Sequence, residues 1–428
     1  MNAVLDDLAW RGLVAHSTDL ERLEAAMDEG PVSFYVGFDP TAPSLHIGHL
    51  IQLITARRLQ QGGHRPVLLV GGATGLIGDP KESGERVMND PAVVAGWVER
   101  LRGQVSRYVS FEGDNAATVV NNLDWAGQMN VVEFLRDIGK HFPVNRMLAR
   151  EIVASRLEQG ISFAEFSYVL LQSMDFLELH RRHGVTLQTG GSDQWGNLTA
   201  GADLIRRVEG NHVHALATPL LTKADGTKFG KTEGGSIWLD PAMTSPYAFH
   251  QFFLNAEDAK VVEYIKVFSF RDRDEIADLE ARTAAEPHRR AAQRALADDL
   301  TDLVHGREER QAATAAAEAL FGRGDLAALP AQTLAHVAHE VGGGVVESGT
   351  DLPDLAQAMF MAGVVASRSA GRRAIEEGGA YLNNSKVTDV EARLGDEDFL
   401  AGGHAVLRRG KKTVGILRRQ ELSSANQS

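Results

Sequence analysis

The 428-residue chain contains no cysteine. This excludes disulfides, thiolate metal sites and a cysteine nucleophile, and it fits a reducing compartment without requiring one. No apolar run reaches the roughly 18 residues that a membrane-spanning helix needs, so no membrane partner is expected. The N-terminal stretch MNAVLDDLAWRGLVAHSTDLERLEAAMDEG lacks the basic-then-apolar order of a signal peptide, and a cytoplasmic location is the expectation. The phosphate-cradling pattern GxxxxGK[ST] is missing, which rules out a Walker-type nucleotide site. An excess of basic charge is missing too. The formal net charge of -13 argues against a protein that coats nucleic acid indiscriminately. A local basic surface remains compatible with it: in RRGKKTVGILRR, residues 408–419, six of twelve residues are Lys or Arg. Read alone, that segment is a solvated, charged end.

With 43% hydrophobic residues the chain can bury a substantial core, and its length favours two or three domains. PVSFYVGF at 31–38 alternates and is rich in aromatic and β-branched types, so it reads as a strand. A turn with two prolines follows, then a helical period over 45–61 ended by Gly62 and Gly63, then a second strand, PVLLVG, at 66–71. Strand, helix, strand implies a parallel sheet. Further strands are expected within 115–124 and at 184–188, with helices through 131–183 and 197–208. In such a sheet ligands bind at the carboxyl ends of strands, so the loops after Phe38, Gly71 and Gln188 are where chemistry is expected. From about 246 the glycine-rich α/β pattern gives way to helices rich in Ala, Glu, Asp and Arg. Residues 323–352 read as a linker or loosely packed stretch. Residues 353–422 read as a compact end module of helices followed by short strands. The fold class is therefore α/β with appended helical and small α+β modules.

Two motifs carry phosphate-directed chemistry. His46-Ile47-Gly48-His49 lies at the start of the helix that follows the first strand. Helix N-termini favour anions through free N–H groups and the dipole. Two imidazoles there can donate to a phosphate chain as charge shifts during displacement. Gly48 leaves room for a flat base, and Thr41 and Ser44 can add hydroxyls. An isolated HxxH is equally a surface helix with two solvent-facing histidines. A metal pair is not expected, because no supporting carboxylate follows at ligand spacing. The second motif is Lys228-Phe229-Gly230-Lys231-Thr232, two lysines in a loop that also holds Gly226, Gly234 and Gly235. It suits a cationic flap closing over a triphosphate. By itself it is a plain exposed loop.

Together these motifs resemble the HIGH and KMSKS signatures of class I aminoacyl-tRNA synthetases. The blocks YVGFDPTAPSLHIGHL, GGATGLIGDP, FSYVLLQSMDF, GGSDQWGN and KFGKT, in this order, resemble bacterial tyrosyl-tRNA synthetases over nearly the whole chain. The resemblance implies a Rossmann-type catalytic domain at 1–245, a helical anticodon-side domain at 246–330, a linker at 331–352, and a ribosomal-protein-like RNA-binding module at 353–428. It implies tyrosine--tRNA ligation, with L-tyrosine, ATP accompanied by Mg2+, and tRNA(Tyr) as substrates, and a homodimer. No tightly held metal is implied. Three other readings share some of these features: a tryptophanyl enzyme, a small HxGH adenylyltransferase, and a non-catalytic RNA-binding descendant.

The same resemblance assigns residues. Tyr35 and Asp175 flank the phenol oxygen of the substrate. Asp79, Tyr168 and Gln172 meet its ammonium group, and Gln194 lies near its carboxyl. Tyr168, Gln172 and Asp175, spaced four and three apart, would line one helix face. Gly37, Asp39, Gly48, Gly191 and Asp193 border the nucleotide. Thr41, His46, His49, Lys228 and Lys231 hold the phosphates. Either Lys81 or Arg86 approaches pyrophosphate. In the end module, Arg368, Arg372, Arg373 and Lys386, with Arg408, Arg409, Lys411 and Lys412, are the expected RNA contacts.

Overall fold

The structure, a computed structural model, describes residues 2–81, 84, 88–232, 235–347, 351–410 and 413–420. The chain divides into two compact units, one of residues 1–240 with 259–278, the other of 241–258 with 279–428.

In the first unit, β2 (Ser33–Phe38), β3 (Arg65–Val70), β4 (Thr118–Asn121), β5 (Val185–Gly191) and β6 (His214–Thr218) run parallel, and the two-residue β1 (His16–Ser17) pairs antiparallel with β6. The order is β1-β6-β5-β2-β3-β4. From β2 the chain builds outward through β3 and β4, then returns to place β5 and β6 on the other side. The order therefore reverses between β2 and β5, and open α/β sheets bind ligands at that reversal. Pairing opens the crevice there. β2 stays paired with β3 as far as Phe38, but its pairing with β5 stops at Tyr35 opposite Gln188. Phe34, Tyr35, Val36 and Phe38 are buried on alternate sides, as a strand covered on both faces requires. The covering helices have clear boundaries. Helix Phe163–His183 starts at Ser162, whose hydroxyl accepts from the Glu165 N–H, and ends at left-handed Gly184. A short hairpin, β7 (Lys231–Thr232) and β8 (Gly235–Ser236), carries the second lysine of the KFGKT motif.

In the second unit a sheet of order β11-β10-β12-β13-β9 is covered on two sides. Its strands are β9 (Gly343–Glu347), β10 (Ala380–Leu382), β11 (Ser385–Val387), β12 (His404–Arg409) and β13 (Thr413–Gln420). Val406 and Ile416 pack with Ala313, Ala316, Leu334 and Val337 of the helical segment. Ala405, Leu407 and Leu417 face Leu355, Met359 and Ile375. The stretch expected as a linker, 331–352, instead contains helix Ala331–Val341 and strand β9, which runs parallel to β13. The glycines that read as flexibility serve close approach. A Cβ at Gly343 would fall 1.7 Å from the Ile416 carbonyl oxygen, and one at Gly344 would fall 2.6 Å from that of Met361. The end module thus begins before 353.

Among the described residues no helix is long and apolar enough to cross a membrane.

Candidate active site

β2 delivers two groups to the crevice from its two faces. Tyr35 is 1% exposed and its ring lies 5.2 Å from that of Phe176 on helix Phe163–His183. Its hydroxyl is buried and, among the described residues, has no hydrogen-bond partner. On the opposite face, Phe38 meets the His49 ring edge-on at 6.1 Å. The helix bearing Tyr168, Gln172 and Asp175 therefore packs on one face of β2 and the histidines on the other.

Asp175 is 1% exposed and accepts from Trp125 Nε1 at 2.8 Å and Asn122 Nδ2 at 3.0 Å. Burial pushes its carboxyl up to about 7, against the opposing pull of those two donors. Burial, and then the Asp175 charge, push the Tyr35 hydroxyl well above its ordinary value, so it stays protonated. Asn122 also donates to Thr74 Oγ1, Thr74 to Asp39 Oδ1 at 2.6 Å, and Tyr168 to Asp39 Oδ2 at 2.5 Å. One chain of hydrogen bonds thus runs from the floor of the pocket to the tip of β2. Gly71 makes room for it, since a Cβ there would collide with Asp39 and Thr74. Neither Asn122 nor Trp125 carries a local sequence signal of its role. VVNNLDW reads simply as strand and turn.

Asp79 accepts from Gln194 Nε2 at 2.8 Å and Asn197 Nδ2 at 3.2 Å, and Arg150 donates to Asn197 Oδ1. The Tyr168 hydroxyl donates to Asp39, and among the described residues the buried Gln172 Oε1 has no partner. Past β5, Gly191 lets the exposed Asp193 carboxylate fold back over the turn, 2.5 Å from where a Cβ would stand. Gly37 sits exposed where the strands part.

His46 is not inside the helix but caps it. Its Nδ1 accepts from the Gly48 N–H at 3.0 Å, and His49 Nδ1 accepts from the His46 N–H at 3.1 Å, so two imidazoles form a reciprocal cap. An Nδ1 that accepts carries no proton, which leaves Nε2–H as the donor on each ring. The rings stack at 3.9 Å. Burial and then Lys231 push His46 down to about 4, and burial and then His46 push His49 well below the ordinary range. Both are neutral donors at pH 7, not cations. Lys228 and Lys231 are exposed, and Thr41 is exposed beside Asp39. Ser44, expected as a phosphate donor, is buried in structural bonds to Leu45, Gln104 and Asp240. The lysine segment is tied to the histidine segment by Ile47 N–H to Ile237 O and Leu239 N–H to Leu45 O.

In the end module Arg373, Lys386 and Arg409 are exposed. Arg368 pairs with Asp354 and Arg372 with Glu391, both at the surface. Arg408, expected as an RNA contact, is instead only 7% exposed, stacked 4.1 Å from the Tyr381 ring, and donates to the Gly410 carbonyl. Lys411, Lys412 and Arg86 lie outside the described residues. A separate cleft of about 650 Å³, lined by Arg146, Arg150, Asp203, Arg206 and Arg207 among others, contains neither Tyr35 nor Asp175.

A switch-point crevice bordered by a histidine-capped helix and a lysine hairpin is the frame of a nucleotide-activating class I fold. Residues 27–322 match the family model described as tRNA synthetases class I (W and Y), and the chain belongs to that class. Residues 339–416 match the tyrosine--tRNA ligase SYY-like C-terminal domain. The chain is 64% identical over 419 residues to a tyrosine--tRNA ligase of Cutibacterium acnes, covering 98% of this chain and 100% of that protein. It is 58% identical to one of Streptomyces coelicolor, covering 97% and 98%. A C-terminally truncated mitochondrial tyrosyl-tRNA synthetase of Aspergillus nidulans superposes with TM-score 0.67 at 30% identity, over 75% of this chain and 95% of that one. A tryptophan-bound tryptophanyl-tRNA synthetase of Encephalitozoon cuniculi, at 14% identity and TM-score 0.54, shares the fold alone. Within its class, the chain is a member of the tyrosine--tRNA ligase family.

Proposed function

We propose that the chain activates L-tyrosine with ATP, releasing pyrophosphate, and transfers tyrosine from the adenylate to the 3′ end of tRNA(Tyr). The observation that carries the amino-acid choice is the pairing of the buried Asp175 carboxylate with the buried, unpartnered Tyr35 hydroxyl. A phenol hydroxyl can donate to the first and accept from the second. Phenylalanine satisfies neither, and each buried group left unpaired costs about 1–3 kcal/mol. Asp79, Tyr168 and Gln172 take the ammonium group; the Tyr168 hydroxyl gives its proton to Asp39 and keeps its oxygen lone pairs to accept. Gln194 faces the carboxyl, while Gly37, Asp39, Gly48, Gly191 and Asp193 border the nucleotide.

The first step is in-line attack by the tyrosine carboxylate on the α-phosphate. The nucleophile is already charged, so catalysis comes from positioning and from stabilising charge that moves toward pyrophosphate. His46 and His49 donate from Nε2, Thr41 adds a hydroxyl, and Lys228 and Lys231 neutralise the leaving group. Mg2+ accompanies ATP as part of the substrate. In the second step a ribose hydroxyl of the tRNA attacks the adenylate carbonyl. Arg373, Lys386 and Arg409 supply phosphate contacts from the end module, with Arg368 and Arg372 at its margin. A cytoplasmic enzyme fits this role. Exchange of labelled pyrophosphate into ATP that depends on tyrosine is expected. Exchange driven equally well by tryptophan would overturn the assignment.

Tyr35→Phe separates recognition from folding. Removing a buried hydroxyl that lacks a partner is expected to stabilise the ligand-free protein, by about 1 kcal/mol, while weakening tyrosine binding by about five- to tenfold. Thermal melts with and without tyrosine check both halves.

Support for a homodimer comes from an apolar strip in the first unit. Val131, Val132, Leu135, Val144, Leu157 and Phe163 are each half or more exposed within one short stretch of chain. A surface of that kind on one protein marks a partner, and a second copy buries the same strip twice. Val132→Asp combined with Phe163→Asp is expected to shift the protein from dimer to monomer in light scattering.

A further inference from the structure

A fully buried ion pair lies outside every motif of the site. Arg156, 2% exposed, meets Glu165, 1% exposed, at 3.2 Å. Arg156 closes the helix Glu151–Arg156, and Glu165 is in the first turn of helix Phe163–His183, three residues before Tyr168. The guanidinium does more than neutralise the carboxylate. Its Nη1 also donates to the Lys81 carbonyl at 2.8 Å, and its Nε and Nη2 both donate to the Gly160 carbonyl, at 3.3 and 3.1 Å. Gly160 holds a left-handed turn at φ 93°, which aims that carbonyl back at the guanidinium. One side chain therefore joins three segments: the start of the substrate-facing helix, the turn before it, and the end of the Asp79-Pro80-Lys81 stretch.

Burying two charges costs several kcal/mol, and apolar residues of similar volume often serve stability as well or better. Stability alone therefore does not account for this pair. The arginine fork does what an apolar pair cannot: it fixes a backbone carbonyl two residues beyond Asp79. Pro80 stands between them with its φ locked near −65°, so the anchor is transmitted stiffly. From the other side Asp79 is held by Gln194 and Asn197.

We propose that Arg156, locked by Glu165, is a positioning residue for amino-acid activation that sets the Asp79-Pro80-Lys81 turn at the mouth of the tyrosine pocket. This rests on the reading of Asp79 as the ammonium partner. Arg156 touches no substrate atom and acts through the turn.

Single truncation would strand a buried charge, so the informative variant removes both: Arg156→Met with Glu165→Leu. Its melting temperature is expected to stay within a few degrees of wild type. Its tyrosine KM in pyrophosphate exchange is expected to rise about tenfold, with the ATP KM changed less than about twofold. Arg156→Lys keeps the charge beside Glu165, yet its three donors sit on one atom and do not reproduce the spread of the guanidinium fork across both carbonyls, so it should show the same split in smaller measure and covers the case in which the double variant fails to fold. Active-site titration completes the test. A folded variant with wild-type tyrosine KM, or a loss that merely tracks the fraction of competent sites, overturns the proposal. Asp79→Asn is the control. If it raises tyrosine KM and the Arg156 variants do not, only the positioning role falls. If Asp79→Asn leaves KM unchanged, the ammonium assignment falls and takes this inference with it.

Discussion

His46→Asn and His49→Gln are each expected to lower the rate of tyrosine-dependent pyrophosphate exchange by about 10²-fold or more while leaving the fold and tyrosine affinity intact. The choice of replacement matters, because each imidazole has two tasks. Its Nδ1 closes the cap at the start of helix Ile47–Gln61. Alanine would remove both tasks, and loss of a cap alone costs about 0.5–2 kcal/mol. Asparagine is among the best N-cap residues, and glutamine at the third helical position closes the reciprocal cap. These variants keep the acceptor facing the backbone and lose the Nε2–H facing the phosphates. A preorganised donor aimed at developing charge is worth about 10²–10³ in rate. The donors act as neutral imidazoles, since burial holds His46 near 4 and His49 well below its ordinary value. Depressed values mean that the unfolded chain takes up protons first. The stability these groups contribute is present above about 6.5 and is lost as pH falls toward 4. Exchange rates should therefore show no histidine titration between pH 6 and 8. A rate that climbs as pH falls through 6.5 would mean that imidazolium is the working form, and the donor assignment would fail.

The strands and helices that build the crevice were legible in sequence where periodicity was strong. SFYVGF alternates and is bulky, and it forms β2 over 33–38. The helix expected at 45–61 begins at Ile47, because His46 turns its ring back onto the backbone. HALAT carries no strand signature, being a histidine followed by two alanines, a leucine and a threonine, yet β6 is fixed by pairing with β5. The spacing of Tyr168, Gln172 and Asp175 along one helix face was legible. What holds Asp175 was not, because Asn122 and Trp125 lie about fifty residues away in a turn and only the fold brings them together. The basic run at 408–419 misled for a related reason. β12 is buried from His404 through Arg408, with Arg408 stacked on Tyr381, and only Arg409 at its end is exposed. Charge count reads composition, whereas phosphate contact depends on how far along a strand its neighbours cover it.

Asp175→Asn is expected to cost about 10–100-fold in kcat/KM for tyrosine and to abolish a pH dependence that the wild-type protein should show. A hydrogen bond to a charged acceptor contributes about 1.5–3 kcal/mol, and each 1.4 kcal/mol is tenfold. Trp125 and Asn122 both donate to this carboxylate, so a carboxamide can satisfy only one of them and turns its own NH2 toward the other. With Tyr35 kept protonated and free to donate, the substrate hydroxyl must donate to Asp175 in its ionised form. Burial raises that carboxyl to about 7, so affinity is full above this value and falls as pH drops through it. At pH 6 about a tenth of the sites are ionised, and tyrosine should bind about tenfold more weakly than at pH 8. Few other groups confuse the window. His46 titrates near 4, and Tyr168 and Tyr35 are both pushed well above 10. Equilibrium dialysis of labelled tyrosine between pH 5.5 and 8.5 gives the curve. Affinity that is flat across this range in the wild type, or a curve unchanged in Asp175→Asn, would separate Asp175 from the phenol and leave the choice of tyrosine without its physical cause.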